Sequence, residues 1–586
     1  MMRAFLALGS NLGDRAGNIN KALELLSRSC RLLKVSSLYE TPAMYYTKQG
    51  DFFNAVAEIE TDLPARTLLR AAQAVEKELK RRRLFRNSPR TLDIDILFYG
   101  RETINSPALQ VPHPKLAERP FVLAPLCEIA PDLRHPVSGR TAGEMLRACP
   151  GAAGARRLPG NYAETLHWLN SLPPSASFTT APMKAALKAL ADPQDSLRAV
   201  HVAGTNGKGS VSAMIAGALT ACGHKTGLYL SPHLSGPRER ISLDGRQIPE
   251  EDFHRQFLAV KSFGVKLSYF EYLTAIALLW FKENDADFAV VEAGLGGRLD
   301  ATNVFKRSLA VITNISLEHA AALGGSLKSI AAHKAGIIRP RGAVVTAASG
   351  PALTVIRRRT EAAGGKLYTA ETDPRFSEKD GNIFFRTAAG PRPLRLALKG
   401  SFQLPNAALA LKALEVLRDR GLKLPPAAAA AGLAAARLEG RFETCQDGGL
   451  ELIFDGAHNP AALAALFQAL RAAGYLRPVT LAAVMGDKDA AALVRLLAEN
   501  SRELVFSGVN SPRARKPAEL ARIALPYGLP AHSRESSAAA FALARRLALK
   551  NGAPLLVTGS FYLAAEIKAA IKKEAPPVFP GELAPS

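Results

Sequence analysis

Short apolar runs alternate with segments of helical period along the first 147 residues. The run FLALG is typical of a buried strand, and Ile19 to Leu33 repeats apolar residues at helical spacing. FFNAVAEIE predicts a second strand and Ala65 to Leu84 a second helix. Polar and apolar residues alternate in TLDIDILFY, as in a strand with one covered face. Strands interleaved with helices indicate a compact α/β or α+β domain.

The pattern changes after residue 147 and then repeats a strand–turn–helix theme. Residues 148–160 are rich in Gly and Pro without periodic apolar residues, which predicts a linker. The segment AVHVAGTNGKGSVSAMIAGALTA contains a hydrophobic strand, a glycine-rich turn and a helix, and DFAVVEAGLGG and LAVITNIS are typical of further buried strands. We expect a doubly wound sheet here, with ligands at the carboxyl ends of its strands. The Ala-rich run 427–436 predicts a helix.

Residues beyond Gly440 carry a third series of such units. LELIFDGAHNP, PVTLAAVMGDKD, ELVFSGV and PLLVTGSFYLAAE each place a strand before a polar turn, which predicts another α/β domain. The last residues, EAPPVFPGELAPS, favour an unstructured tail. A length of 586 residues agrees with about two to four domains.

Composition excludes several classes of protein. Hydrophobic residues make up 48% of the chain and charged residues 22%, which argues against wholesale disorder. No apolar run approaches the ~18 residues of a membrane span, and the apolar stretch at the start is too short for a secretory signal. The five cysteines are scattered and never form CxxC. We therefore expect a reduced, cytoplasmic protein with no disulfide framework, no zinc knuckle and no membrane partner.

The charge balance favours anionic partners. Lys and Arg number 75 and Asp and Glu 52, a net charge of +23. Nucleic acid, a membrane surface or polyanionic small molecules would each fit that charge. A nucleic-acid-binding protein is one hypothesis, based on the charge and on Arg81–Arg83. The sequence lacks an RNP, helix-turn-helix or zinc signature, so we expect no nucleic-acid partner.

Asp93 and Asp95 are the first candidate metal ligands. They stand two apart in a predicted strand, so both carboxylates share one face, where they would suit Mg²⁺ with substrate phosphates in its shell. An exposed strand face with two solvated acids has the same spacing. The upstream loop KRRRLFRNSPR supports the phosphate hypothesis, because guanidinium groups bind phosphate oxygens bidentately. A nucleic-acid patch or a solvated charge run is the alternative for this loop, and His113 could donate to a phosphate or be structural.

The segment HVAGTNGKGS ends a predicted strand and opens a helix. Its glycines let backbone N–H groups close around phosphates, Lys208 can reach those phosphates, and the Ser210 hydroxyl can meet Mg²⁺. A plain glycine turn is the alternative. Glu292 closes one predicted strand and His319 follows another at the same rim, where both could complete a Mg²⁺ site, although His319 taken alone would more often be a helix-start or surface histidine.

The first 147 residues resemble 6-hydroxymethyl-7,8-dihydropterin pyrophosphokinases. The resemblance rests on LGSNLGDR, SSLYETP, DFFNAV, PRTLDIDIL and VPHPKLAERPFVLAPLCEIAPDLRHP, in the family's order. It implies transfer of the β,γ-pyrophosphoryl group of ATP to the CH₂OH of a dihydropterin. It assigns Asp93 and Asp95 to two Mg²⁺ ions, Arg81, Arg90 and His113 to the phosphates, Thr41, Pro42, Asn54 and Phe121 to the pterin, and Glu76 to the nucleotide.

Residues 161–570 resemble the dihydrofolate synthase/folylpolyglutamate synthase family, relatives of the Mur ligases. The motifs, in family order, are GTNGKGS, SPHL, FEYLTAIAL, VEAGLGGRLDATN, ITNISLEH, HKAGII, QLPNAALAL, EGRFE, DGAHNP, DKD and GSFYLAAE. The resemblance implies that ATP phosphorylates a pteroate carboxylate and that the glutamate amine then attacks the acyl phosphate to form an amide.

The same resemblance assigns roles to individual residues. Lys208, Lys334 and His319 are the catalytic ones, and Lys334 matches the lysine that is carbamylated in the family. The ATP site is assigned to Gly204, Thr205, Asn206, Gly207, Lys208, Gly209, Ser210, Asn406, Arg441, Asp455, His458 and Asn459, Mg²⁺ to Ser210, Ser231, Glu292 and His319, and the substrate to Ser231, Pro232, His233, Phe270, Glu271, Leu299, Asp300 and Ala301. A K⁺ ion is a further expectation.

Several positions depart from the patterns of these families. The departures are Phe52 for a pterin-stacking tyrosine, Asn87-Ser88 for Trp-Gly, Glu318 for aspartate, His333 for glutamate and Phe402 for histidine. The segment SFTTAPMKAAL lacks a Gly-Leu-Glu-Arg motif that helps to seat the pteroate, which leaves the substrate range open.

We therefore expect an α/β multidomain fusion. The expected parts are a ferredoxin-like α+β pyrophosphokinase domain (1–147), a linker (148–160), a central P-loop, Mur-ligase-like α/β domain (161–438), a C-terminal Rossmann-like α/β ligase domain (439–572) and a tail (573–586). The expected function is a bifunctional folate-pathway enzyme that adds glutamate to dihydropteroate, with addition to tetrahydrofolate left open and a separate dihydropteroate synthase supplying the intervening step. The alternative is a Mur-type amide ligase with a degenerate, inactive pyrophosphokinase domain.

Overall fold

A computed structural model describes residues 1–82, 84–85, 87–173, 179–369, 376–379, 382–387 and 390–573. The predicted tail from 574 onwards, Arg83 and Arg86 of the basic loop, and Ser177 and Phe178 of SFTTAPMKAAL lie outside the described residues. The chain divides into two compact units. The first unit comprises Met1–Leu169, Ala185–Ala191 and Glu250–Lys266, and the second comprises Asn170–Lys184, Asp192–Pro249 and Leu267–Ser586.

The strands and helices of the described chain are numbered in chain order. Up to residue 170 they are β1 (Met2–Ser10), α1 (Arg15–Leu26), β2 (Arg31–Val35), β3 (Tyr39–Thr41), β4 (Phe52–Thr61), α2 (Ala65–Glu78), β5 (Asp93–Tyr99), β6 (Ile104–Asn105), β7 (Gln110–Val111), α3 (Pro120–Ile129), α4 (Ala142–Ala148), β8 (Arg156–Arg157) and α5 (Tyr162–Asn170). Up to residue 434 they are α6 (Ala181–Ala189), β9 (Arg198–Ala203), α7 (Lys208–Ala221), β10 (Thr226–Tyr229), β11 (Ile241–Leu243), β12 (Arg246–Gln247), α8 (Glu250–Ser262), α9 (Tyr269–Glu283), β13 (Phe288–Glu292), β14 (Ser308–Ile312), α10 (Ala320–Leu323), α11 (Leu327–Lys334), β15 (Ala343–Thr346), α12 (Gly350–Ala362), β16 (Lys366–Thr369), β17 (Phe376–Lys379), β18 (Asn382–Thr387), β19 (Gly390–Pro393), α13 (Gln403–Asp419) and α14 (Pro426–Ala434). The remainder are β20 (Glu443–Asp447), β21 (Leu450–Phe454), α15 (Pro460–Ala472), β22 (Val479–Ala482), α16 (Ala490–Asn500), β23 (Glu503–Ser507), α17 (Pro517–Ala524), β24 (Ala531–Arg534), α18 (Ser537–Asn551), β25 (Leu555–Thr558) and α19 (Phe561–Lys572).

An antiparallel sheet forms the centre of the first unit, with the strand order β5-β1-β4-β3-β8 and with β2 paired to β4. Leu6 and Leu8 of β1 share a core with residues of α1 and α2, whereas Phe5 packs with residues of α3 and α4. The sheet is therefore covered on both faces. Its register pairs Gly9 with Asn54 on one side and with Asp93 on the other, which brings two candidate site residues to one region.

Two helices of the first unit are shorter than their periodicity predicts. The helix predicted from Ile19 to Leu33 ends at Leu26, because Arg31–Val35 pairs with β4 as a strand. The helix predicted from Ala65 to Leu84 ends at Glu78, and Lys80 has a left-handed backbone with φ of 57°. Residues 148–160, where we expect a linker, include β8, which pairs with β3.

The second unit contains a large sheet with the order β12-β11-β10-β13-β9-β14-β15-β16. The strands β10, β13, β9, β14, β15 and β16 are parallel, as the doubly wound pattern predicts, and β11 and β12 are antiparallel at the edge. β13, β9 and β14 are neighbours and run parallel, so the residues that follow their carboxyl ends meet at the same end of the sheet. The predicted alanine-rich helix is confirmed as α14, and it packs against α7 through Gly432 and Gly217.

The other large sheet of the second unit has the order β20-β21-β25-β22-β23-β24. The four strands predicted beyond Gly440 are β21, β22, β23 and β25, which are adjacent and parallel. β20 is antiparallel to β21 at the edge. Within the described residues, no helix combines the length and apolar character needed to cross a membrane.

Candidate active sites

A cavity opens beside the central strands of the first unit. The polar residues along it include Thr41, Asn54, Asp93 and Asp95. Asn54 donates a hydrogen bond from Nδ2 to Thr41 Oγ1 at 2.8 Å, which fixes the amide on the wall of the cavity. The other lining residues are Ala7, Leu8, Gly9, Pro42, Met44, Tyr45, Gln49, Phe52, Asn87, Arg90, Arg119, Phe121 and Val122.

The two aspartates lie on one face of β5, as their spacing predicts. Ile94, between them, is buried and belongs to the opposite core. Asp93 accepts ion pairs from Arg81 Nη1 at 2.6 Å and from Arg90 Nη1 at 2.9 Å. Arg81 also pairs with Glu76, a buried carboxylate whose pKa is raised by burial. Arg81 and Arg90 of the basic loop are therefore held against the first aspartate.

Asp95 has a partner that the sequence reasoning did not single out. Arg119 Nη1 lies 2.9 Å from Asp95 Oδ2 and 3.2 Å from His113 Nε2, and its guanidinium lies 5.6 Å from the ring centre of Phe121. Burial lowers the pKa of His113, and Asp95 opposes that shift. Arg119 stands inside the long VPHP motif next to Phe121, so the motif contained the signal. The three cationic partners of the aspartates could neutralise a polyphosphate.

The phosphate loop of the second unit closes tightly after β9. Gly207 has a left-handed φ of 83°, and a Cβ there would lie 2.3 Å from Asn406 Oδ1. A Cβ on Gly204 would collide with Thr313. Lys208, the first residue of α7, donates from Nζ to the Thr205 carbonyl at 3.1 Å. The loop thus presents backbone N–H groups at a helix start, which is the arrangement that binds phosphate.

Glu292 ends β13 beside this loop. Its Oε1 lies 3.9 Å from Lys208 Nζ, and its Oε2 accepts a hydrogen bond from the Ser231 backbone N–H at 3.0 Å. A Cβ on Gly209 would lie 3.3 Å from the same Oε2. Burial raises the pKa of Glu292, and the charge of Lys208 counteracts that shift. Ser210 is also buried, one residue further along α7.

Lys334 is buried at the end of α11 and donates from Nζ to the Gly204 carbonyl. Burial, reinforced by the charge of Lys208, lowers the pKa of Lys334 to about 7. A neutral amine is the form of lysine that acts as a nucleophile. The lysine therefore contacts the phosphate loop with a pKa that favours the neutral amine more than in an exposed lysine.

Glu318 gathers three residues that come from distant parts of the sequence. Its Oε1 lies 3.0 Å from His458 Nε2, 3.1 Å from Asn459 Nδ2 and 3.3 Å from Lys488 Nζ. Burial alone would raise the pKa of Glu318, but His458 and Lys488 hold it well below its usual range. Asn459 also donates to Asn206 of the phosphate loop at 2.9 Å. The sequence marked Glu318 only as a departure from aspartate.

His319 and Asp455 lie in the same unit but have different neighbours. His319 Nδ1 lies 3.8 Å from Asp487, and burial lowers the pKa of His319 to about 4. Asp455 accepts hydrogen bonds from the backbone N–H groups of Phe442 and Ala457, and burial raises its pKa. Arg441 lies over the ring of Phe561 at 4.6 Å.

Several predicted substrate residues are engaged within the protein. His233 is buried and bonds to Arg240 at 2.8 Å, Glu271 caps α9 at Ser268, and Asp300 accepts from the backbone N–H groups of Leu295 and Thr302. Phe270 packs 5.9 Å from Tyr229. The remaining ones are Ser231 and Pro232, which share a cis peptide bond, Ala301, which is buried, and Leu299, which is exposed.

The donor chemistry of both sites suits a hard cation. In the described part of the chain, no three His, Cys, Asp or Glu side chains are grouped to hold a metal. Asp93 and Asp95 in the first unit, and Glu292 with the hydroxyls of Ser210 and Ser231 in the second, are oxygen donors of the kind Mg²⁺ prefers. Such an ion would take its other ligands from phosphate and water.

Comparisons with known families agree with this division. The model of 7,8-dihydro-6-hydroxymethylpterin-pyrophosphokinase matches residues 5–131. The Mur ligase middle domain matches residues 202–414, and the Mur ligase glutamate ligase domain matches residues 440–561. The fold and the sites therefore define a phosphotransfer domain joined to an ATP-dependent ligase.

The similar curated proteins include folylpolyglutamate synthases and dihydrofolate synthases. Folylpolyglutamate synthase of Lacticaseibacillus casei is 32% identical over 70% of this chain and 98% of its own length, and dihydrofolate synthase/folylpolyglutamate synthase of Escherichia coli is 35% identical over 63% and 86%. A probable bifunctional folylpolyglutamate synthase/dihydropteroate synthase of Haloferax volcanii is 32% identical, and this chain spans 48% of its length.

Solved structures that resemble the chain are also folylpolyglutamate synthases. Mycobacterium tuberculosis folylpolyglutamate synthase complexed with ADP superposes with a TM-score of 0.65 at 30% identity, over 71% of this chain and 99% of that one. The bifunctional folylpolyglutamate synthase/dihydrofolate synthase of Yersinia pestis, complexed with AMPPNP and Mn ion, has a TM-score of 0.62 at 29% identity, over 71% and 99%.

The chain belongs to the folylpolyglutamate synthase/dihydrofolate synthase family and carries a 6-hydroxymethyl-7,8-dihydropterin pyrophosphokinase domain at its N-terminus. It is a bifunctional, ATP-binding enzyme of folate metabolism, and its ligase part joins glutamate to its substrate.

Proposed function

We propose that the cavity of the first unit transfers the β,γ-pyrophosphoryl group of ATP to 6-hydroxymethyl-7,8-dihydropterin. The main support is the position of Asp93, Asp95 and Arg119 at one side of a cavity whose wall also carries the Asn54 amide and the Phe121 ring. An amide and an aromatic face are suited to a flat heterocycle, and carboxylates with arginines are suited to metal-bound phosphates.

The residues of this site would act mainly by positioning and by charge. Bound Mg²⁺ would neutralise the triphosphate and help AMP to leave. Asp93 and Asp95 would hold that metal, and Arg81, Arg90 and His113 would orient the phosphates. Thr41, Pro42, Asn54 and Phe121 would hold the pterin so that its hydroxyl oxygen lies in line with the β-phosphorus, because phosphoryl-type transfer depends on such alignment.

We propose that the second unit forms the amide between glutamate and dihydropteroate, with tetrahydrofolate as a further acceptor. Gly204, Thr205, Asn206, Gly207, Lys208 and Gly209 would bind the ATP phosphates, helped by Asn406, Arg441, Asp455, His458 and Asn459. Ser210, Ser231, Glu292 and His319 would hold Mg²⁺, which makes the γ-phosphate more electrophilic. The SPHL loop and Phe270 would receive the pterin ring.

Lys334 has a proposed role of its own in this reaction. Its Nζ contacts the phosphate-loop carbonyl of Gly204, and its pKa of about 7 leaves much of the amine neutral at physiological pH. Carbamylation by carbon dioxide would replace a cation by an anion beside Lys208. We propose a carbamate at Lys334 that helps to hold the metal, with K⁺ as a further ion.

The finer organisation also belongs to this proposal. The expected boundaries are 1–147, 148–160, 161–438, 439–572 and 573–586, with a ferredoxin-like first domain, a P-loop central domain and a Rossmann-like last domain. A cytoplasmic location and a separate dihydropteroate synthase complete the proposal, since two non-consecutive steps leave a gap between them.

Product masses test both activities in the full chain. We expect AMP and the dihydropterin pyrophosphate from ATP and hydroxymethyl-dihydropterin, and a product one glutamyl residue heavier from ATP, glutamate and dihydropteroate. Offering tetrahydrofolate instead tests whether further glutamates are added. Ligation without any AMP-releasing activity would favour the alternative, an amide ligase with an inactive first domain.

A further inference from the structure

Helix α8 belongs to the first unit, although its sequence lies inside the stretch that matches the Mur ligase middle domain. Leu258 of this helix packs against the core that α1 and α2 form with the first sheet. Phe257 lies 5.1 Å from the ring of Trp168, and Phe253 lies 5.3 Å from Tyr162. The helix is therefore packed by apolar contacts into a unit to which most of its sequence neighbours do not belong.

Arg15 at the start of α1 and Ser262 at the end of α8 each form a side-chain hydrogen bond with the backbone of the other helix. Arg15, 3% exposed, donates from Nε to the Ser262 carbonyl at 2.5 Å and from Nη2 to the Lys261 carbonyl at 2.9 Å. These carbonyls end α8, where a helix leaves acceptors unsatisfied and favours a positive charge. In return, Ser262 Oγ accepts from the Ala16 N–H at 3.1 Å, in the first turn of α1.

The same arginine contacts both ends of the segment that borders the cavity. Its Nη1 donates to the Asp51 carbonyl at 2.7 Å, and its Nη2 lies 3.2 Å from Glu40 Oε1. Glu40 Oε2 in turn lies 2.7 Å from Lys261 Nζ of α8. Glu40 precedes Thr41, and Asp51 precedes Phe52, and both of these neighbours line the cavity. We call residues 41–51 the rim segment.

We propose that Arg15 and Glu40 form a docking site for the carboxyl end of α8, which contacts them through Lys261 and Ser262, and that this site couples the helix to the rim segment. Arg15 contacts the carboxyl end of α8 and also Glu40 and Asp51 beside the cavity. Because both sets of contacts share this buried arginine, each set stabilises the other, and coupling of this kind is reciprocal. A residue from the ligase part of the sequence therefore influences the pocket of the pyrophosphokinase part. The effect of this coupling on substrate binding rests on the proposed function of the cavity, whereas the coupling itself does not.

Hydrogen–deuterium exchange on the full chain tests the coupling without any substrate. Lys261→Ala removes a partly buried ion pair to Glu40 and leaves every cavity-lining residue in place. We expect exchange in peptides covering residues 39–54 to become faster by about tenfold, the ratio that follows from losing one charge-assisted hydrogen bond. Arg15→Lys should produce the same change from the other side of the contact.

Lys21→Ala is the matched control. Lys21 lies on α1 and also pairs with a carboxylate at 2.7 Å, but that pair is exposed and does not involve α8. We expect unchanged exchange in residues 39–54 for this variant. Unchanged exchange in folded Lys261→Ala, or an equal increase throughout the first unit, would overturn the coupling.

A kinetic measurement separates the coupling from the proposed function. Lys261→Ala should raise the KM for the dihydropterin severalfold, whereas Lys21→Ala should leave it unchanged. An absence of pyrophosphoryl transfer in the wild-type chain would refute the proposed function, and the exchange result would still decide the coupling. A wild-type KM in Lys261→Ala, measured on an active chain, would contradict the coupling.

Discussion

Charged side chains at both candidate sites have neighbours of opposite charge. Asp93 lies between Arg81 and Arg90, and Glu318 contacts Lys488. A buried charge without such a partner costs several kcal/mol, so removing one member of a pair also destabilises the other. Substitutions that keep the shape of the side chain but remove its charge are therefore the most informative ones at these sites.

Replacing Glu318 by glutamine should weaken ATP binding. The change keeps the size of the side chain but removes the charge that holds His458, Asn459 and Lys488. Loss of charge-assisted hydrogen bonds of about 1.5–3 kcal/mol corresponds to a kcat/KM for ATP lower by about 10- to 100-fold. Steady-state kinetics of glutamate-dependent ADP release measures this. Glu318→Asp, which keeps the charge, should lose less, and equal losses in both variants would count against the charge as the cause.

Lys334 should make stability depend on pH. Its folded pKa of about 7 lies below the ~10.4 of an unfolded lysine, so between these values the unfolded chain binds more protons. Stability of the wild type relative to Lys334→Met should therefore rise with pH, by at most about 1.4 kcal/mol per pH unit. Urea unfolding of both proteins at pH 7 and pH 9, in buffer freed of carbon dioxide so that Lys334 carries no carbamate, measures the difference. A difference that does not change with pH would refute this account of the lysine.

The helices and strands follow their sequence patterns wherever the local pattern and the tertiary contacts agree. The strand TLDIDILFY and the alanine-rich helix form as predicted because burial supports the period that their residues already have. The helix expected up to Leu33 ends at Leu26, since Arg31–Val35 gains strand pairing with β4 that helical spacing cannot reveal. The boundaries were thus less predictable than the elements.

Gly432→Ala should destabilise the packing of α14 against α7. A Cβ at this position would lie 2.2 Å from the Gly217 carbonyl oxygen, so the helices would have to separate. Overpacking of this kind costs about 1–3 kcal/mol, which would lower the melting temperature of the second unit. Ala431→Ser, at an exposed position of the same helix, is the control and should change little. A wild-type melting temperature for Gly432→Ala would show that the contact is not tight.

The whole chain combines two candidate sites, proposed above to use ATP, and each is built from residues of a single compact unit. The aspartate site is formed within the first unit, and the phosphate-loop site within the second. The net charge of +23 suits ATP, pterin pyrophosphate and folates, which are all anions. Separate sites predict separate losses of activity.

Asp95→Ala should lower the rate of AMP-releasing pyrophosphoryl transfer by about 10²-fold or more and leave glutamate-dependent ADP release intact. Lys208→Ala should do the reverse. The reason is that Asp95 pairs with Arg119 of the first unit, whereas Lys208 lies beside Glu292 of the second. Coupled assays of AMP and ADP release measure both activities in each variant. Loss of both activities in either folded variant would contradict the two-site organisation.

The sequence by itself determined which residues could perform the chemistry. Glycines before Lys208, and aspartates alternating with buried isoleucines, are local patterns, so the phosphate loop and the paired carboxylates could be predicted. It could not identify Arg119 beside Asp95, or the three residues around Glu318. Only the tertiary structure decided those contacts, because they join residues 24 to 170 positions apart, and packing rather than local spacing brings such residues together.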